Sequence, residues 1–74
     1  MIVFKTKKTR YEIIQEGPQK IFVRDDQKLG PVTGTWDIEV GKRARVDYVR
    51  QNNLGLMTFV TCSTDYITEV ECDN

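Results

Sequence analysis

The chain has no histidine and a single serine, Ser63, in 74 residues. Without histidine the commonest general base is missing, and with it His-dependent triads and imidazole metal ligands. Ser63 lies between Cys62 and Thr64 with no nucleophile-elbow context, and reads as a strand-end or turn residue. Cysteine is also scarce. Cys62 and Cys72 cannot by themselves make an ordinary four-ligand zinc site. In a reducing cytoplasm both are expected to be free thiols, Cys62 as a small core residue in an apolar run. The glycines at 17, 30, 34, 41 and 55 are scattered and form no phosphate-cradling motif. No apolar run approaches membrane-spanning length, and no segment has the order of a signal peptide. The resulting expectation is a non-enzymatic protein with no cofactor, no metal and no membrane association, working in a cytoplasm.

Charge is balanced overall and uneven along the chain. Residues 1–50 hold all eleven Lys and Arg against seven acids, a net +4, and residues 51–74 hold four acids and no base, a net −4. The simplest account is an acidic C-terminal strand lying beside a basic one, because opposite charges across a sheet are mildly stabilising. At 39% hydrophobic and 30% charged residues, the composition is that of a folded domain. A chain this short buries only roughly 60% of the surface its unfolded form exposes, so one thin core is expected and a homo-oligomer would help it.

What the sequence does contain is strand pattern. In WDIEVGKRARVDYVR (36–50), Ala44, Val46 and Tyr48 alternate with Arg43, Arg45, Asp47 and Val49. A period of two sends these two sets to opposite faces of a sheet, the first set inward. Further strands are expected at Ile2–Thr6, Thr9–Gln15 and Gln19–Arg24, with Glu16-Gly17-Pro18 as a turn. Asp25–Gly34 reads as the longest loop and Thr35–Val40 as the fourth strand, turning at Gly41-Lys42. Leu54–Cys62 is apolar on both faces, as in a central strand, and Asp65–Glu71 reads as the last strand. Six or seven short strands with short connections predict an all-β antiparallel meander, closed as an SH3-like barrel or a compact sandwich. An open sheet completed by a second subunit is the alternative.

Two basic groups stand out, Lys5, Lys7, Lys8 and Arg10 around the first turn, and Lys42, Arg43, Arg45 and Arg50. Guanidinium forks suit phosphate, and Trp36, Tyr11 and Tyr48 could stack on a base. Arg43, Arg45, Trp36, Tyr48, Arg10 and Tyr11 are therefore the candidate ligand-binding residues. Against this stands a plainer reading, in which Trp36 and Tyr48 fill the core and the arginines pair with Glu69, Glu71 and Asp37. Zero net charge argues against a general nucleic-acid binder.

The segments FKTKKTRYEI, GTWDIEVGKRARVDYV and TFVTCSTDYITEVE together resemble short, β-rich accessory proteins of tailed phages and prophages. Those proteins share a "TKNS-Y-I"-like opening, a "W…IEVGK" segment and a "TS-V--I"-like ending; here Asp65-Tyr66 replaces the Ser/Pro-type residues of that ending. The resemblance brings no catalytic motif and no functional residue. It implies a phage accessory protein in the host cytoplasm, acting by binding and so countering a host defence. Two partners fit that reading: a small anionic nucleotide signal held by the arginines and aromatics above, or a host defence protein held by an apolar patch such as Leu29, Pro31, Val32 and Met57. A small-barrel nucleic-acid binder and a virion assembly protein are the other classes.

Overall fold

A computed structural model describes residues 1–73. It contains six strands: β1 (Ile2–Thr6), β2 (Arg10–Glu16), β3 (Gln19–Arg24), β4 (Gln27–Trp36), β5 (Arg43–Gln51) and β6 (Met57–Cys72). Each pairs antiparallel with the next, and β6 returns to β1, closing a meander barrel. The all-β antiparallel barrel expected from the sequence is the fold observed. Alternation decides its inside. Phe4, Tyr11, Ile13, Phe22, Ala44, Val46, Tyr48 and Ile67 form one core cluster. Four rings run through it in sequence: Phe4–Tyr11 at 5.0 Å, Tyr11–Phe22 at 5.6 Å and Phe22–Tyr48 at 5.5 Å between centroids. Such offset and tilted ring pairs add to the area they bury.

Three expectations are corrected. The supposed long loop 25–34 is mostly strand. Asp25 and Asp26, at φ 46° and 66°, make a two-residue hairpin turn, and β4 begins at Gln27. Two consecutive left-handed residues match the right-handed twist of the flanking strands, and Asp tolerates that backbone. The turn is tied back to β2, since Arg10 N donates to Asp25 Oδ1 at 3.0 Å and Asp25 N to the Arg10 carbonyl at 2.9 Å. The strand expected at Thr35–Val40 ends instead at Trp36. Asp37 adopts φ 57°, which breaks the extended run, and 37–42 forms a loop held by the Lys42 ion pair with Glu39 at 2.6 Å. Lastly, the two strands expected at 54–62 and 65–71 are one.

That last strand has to bend. Sixteen residues of straight strand would run roughly 50 Å, more than the molecule's longest dimension of 37 Å. The bend falls opposite Ala44, where the β5–β6 register slips between Arg43 and Arg45. There the Ala44 N–H donates to the buried Thr64 hydroxyl at 3.0 Å, and that hydroxyl donates to the Asp65 carbonyl at 2.8 Å. The side chain supplies a partner that the ladder cannot. Beyond the bend β6 changes neighbour. Met57–Tyr66 lies against β5, and Ile67–Cys72 lies against β1. β4 makes the same exchange, from β3 to β5, just after Pro31. Proline lacks a ladder donor and suits such a switch point. The acidic end of β6 does lie beside a basic strand, with Lys5 opposite Glu69 and their charges 3.6 Å apart.

Candidate functional site

The six residues singled out from the sequence fall into three places. Tyr11 and Tyr48 belong to the core, at 7% and 6% exposure, so neither ring face is open to a ligand. Burial, together with the neighbouring Cys62, raises the Tyr11 pKa. Arg10 lies on β2, 3.4 Å from Glu12. Only Arg45 and Trp36 meet, on the outer face of β4–β5–β6, where Trp36 stands opposite Arg45, while Arg43 stands opposite Tyr66. Trp36 is not the core residue of the plainer reading, since it is 47% exposed. Its indole lies over Gly34, where a Cβ would come within 2.5 Å of the ring.

This outer face is internally satisfied. Arg45 sits 4.7 Å above the Trp36 ring and gives both Nε and Nη2 to the Asp47 carboxylate, at 3.1 and 3.0 Å. That bidentate bond, with Thr61 also donating, holds the Asp47 carboxyl below its usual pKa and raises that of Arg45. Arg43 lies 5.2 Å from the centroid of Tyr66. A fork already closed on a carboxylate has little left to offer a phosphate. The partners expected for the arginines, Glu69, Glu71 and Asp37, are also not the ones used. Lys5 takes Glu69, and Lys42 takes Asp37 at 3.9 Å.

A second cationic group arises where the sequence shows no cluster. The β3–β4 and β5–β6 hairpins flank an open cleft of about 450 Å³ lined by Arg24, Gln27, Lys28, Leu29, Tyr48, Arg50, Gln51 and Asn53. Its ionic lining is all positive. Lys28 is paired with Glu16 at 2.6 Å, but among the described residues no carboxylate lies within ion-pair distance of Arg24 or Arg50. The three amide side chains supply both donors and acceptors. Tyr48 forms part of the wall while its ring packs on Phe22. Arg24 and Arg50 are twenty-six positions apart in sequence, and only the pairing of β4 with β3 and then with β5 brings them to one cleft.

The third feature is apolar and exposed. Leu54, Leu56, Met57 and Phe59 are 84%, 61%, 74% and 82% exposed at and beside the β5–β6 turn. The turn itself is well bonded. Asn52 Oδ1 accepts from the N–H groups of Leu54 and Leu56 at 2.9 and 3.0 Å, and Gly55 takes φ 80°. Met57 is the one member of the patch expected from sequence. Leu29, Pro31 and Val32 are half-buried instead, Leu29 and Val32 against the core. Among the described residues, no group of three or more His, Cys, Asp or Glu converges as metal ligands, and no helix is long and apolar enough to cross a membrane. Compared with known proteins, the chain matches no family model, no curated protein and no solved structure.

Proposed function

We propose that this protein is a non-enzymatic binding protein whose ligand is a small phosphate-bearing molecule of the nucleotide class, held in the cleft between the β3–β4 and β5–β6 hairpins. The observation that carries this reading is the convergence of Arg24 and Arg50, neither paired with a carboxylate, beside Lys28 in a cleft with no acidic lining. Unpaired guanidinium groups are the preferred partners of phosphate oxygens. The size supports a mononucleotide or dinucleotide, since pockets for small ligands span about 300–1,000 Å³. The amides of Gln27, Gln51 and Asn53 are suited to the edges of a base. Zero net charge supports a compact ligand over an extended polyanion. In the phage setting that the sequence resemblance implies, withdrawing such a nucleotide from the host cytoplasm would blunt a defence that signals with it.

The test is a thermal shift of the whole protein with a panel of cyclic and linear mono- and dinucleotides and with pyrophosphate. A ligand that binds only the folded state raises the melting temperature by mass action, by about 2.7 kcal/mol of stability at a hundredfold excess over Kd. The expected result is a rise with at least one phosphate compound that is abolished in Arg24→Ala/Arg50→Ala and retained in Arg43→Ala. No rise with any compound, or an equal rise in the double variant, overturns the reading.

A further inference from the structure

The outer part of β6 has a partner on one side only. From Met57 to Asp65 it pairs with β5, while β1 takes up the other edge only from Ile67 onward. Among the described residues no ladder and no other backbone hydrogen bond reaches that edge. A strand edge left open presents a row of unpaired N–H and C=O groups, and proteins ordinarily guard it with lysine, proline or a bulge. Residues 57–64, MTFVTCST, contain no charge and no proline, and the register with β5 slips only at their end, by the Thr64 bend. They are rich in residues of high strand propensity. The same stretch carries Met57 and Phe59, with Leu54 and Leu56 adjoining.

We propose that this edge is the interface of a homodimer, in which β6 of one copy pairs antiparallel with β6 of a second copy around a two-fold axis. Three observations select a second copy. First, the segment is uncharged, so two identical edges meet without like-charge repulsion. Second, Leu54, Leu56, Met57 and Phe59 are 84%, 61%, 74% and 82% exposed, on the order of 500 Å² per copy, so a dimer that covers all four buries about 1,000 Å², the lower bound of a specific interface. Third, the geometry closes. The other open edge of this three-stranded face, Val32–Trp36 of β4, is five residues long and interrupted by a register slip between Val32 and Gly34. Pairing β6 with that edge would be head-to-tail and would run on into a filament, whereas β6 with β6 is self-complementary and stops at two. This inference uses none of the cleft's cationic residues and stands apart from the ligand reading.

The experiment is sedimentation velocity of the full chain from low micromolar to millimolar concentration, compared with Met57→Lys/Phe59→Lys and with Thr61→Lys. Circular dichroism and a cooperative melt would show that each variant folds. The expected result is a dimer that the double variant weakens by roughly a hundredfold or more, with amides of 57–65 protected from hydrogen exchange in the dimer and fast in the variant. A chain that stays monomeric throughout overturns the proposal. So does a dimer that survives both variants, a dimer whose 57–65 amides exchange freely, or association only with a different protein.

Discussion

Phe22 of β3 and Phe59 near the start of β6 are both strand phenylalanines of the same small barrel and meet opposite environments. Phe22 is wholly enclosed, stacked against Tyr11 and tilted against Tyr48, and Phe59 is 82% exposed. The difference comes from what lies across the barrel. At Phe22 the inward face is covered by the Tyr11 and Tyr48 rings of the core cluster, and its neighbours Ile21 and Val23 are buried as well. Before the bend at Thr64, Val60 and Cys62 of β6 pack inward on the core, while Phe59 lies on the opposite, outward face with nothing above it. An apolar residue in a strand therefore reports a buried face only where a second layer exists to bury it. Where no layer exists, the same residue advertises a surface that something else must cover.

The contrast predicts its own largest effect. Phe22→Ala should cost about 3–5 kcal/mol in a denaturant melt, much of the total stability of about 4–11 kcal/mol expected for a domain this size. Phe59→Ala, measured at protein concentrations low enough to keep the chain monomeric, should change stability by less than about 0.5 kcal/mol. Comparable losses at both sites would mean that Phe59 is covered within a single copy.

A smaller effect is expected at the hinge between the two regions. Thr64→Val keeps the shape but leaves the buried Ala44 N–H without its acceptor. That should cost about 1–3 kcal/mol, and hydrogen exchange at Ala44 should accelerate alongside. Unchanged exchange would show that the bend is held by the β5 register slip alone.

The smallest effect belongs to the outer face. Asp47 has its folded pKa lowered, first by the hydrogen bond from Arg45. A lowered folded value means that the unfolded chain binds the proton more readily. The stabilisation is complete above the ordinary carboxylate range and is lost as pH falls through the lowered folded value. Asp47→Asn should therefore remove a small stabilisation at neutral pH, flatten the acid limb of the stability profile slightly, and converge with wild type at low pH, where Asp47 is protonated. A neutral-pH stability identical to wild type would show that the Arg45 pair is fully screened by solvent.

Much of the barrel is legible in the sequence. β1 and β3 have the expected limits, and Ala44, Val46 and Tyr48 point inward as alternation requires. The errors cluster where local chemistry is ambiguous. Asp25-Asp26 was read as part of a loop because Asp also favours open turns, while here it closes a hairpin. Trp36 reads either as a ligand-stacking ring or, on bulk, as core, and Tyr11 reads as a ligand contact on chemistry alone. Position relative to the barrel axis decides both, leaving Trp36 on the outer face and Tyr11 in the core. The cleft could not be read at all, because Arg24 and Arg50 share no local pattern.

Composition and periodicity by themselves determined the all-β class, the hairpin order and the inward set of β5, because those depend on side-chain alternation and turn chemistry within a few residues. Tertiary structure alone decided which cations are spent on Asp47, Glu16 and the aromatic rings, which two arginines are left to face a cleft, and which edge of β6 stays open. Those outcomes depend on closure of the barrel and the bend at Thr64, which bring together or hold apart residues dozens of positions away in the chain.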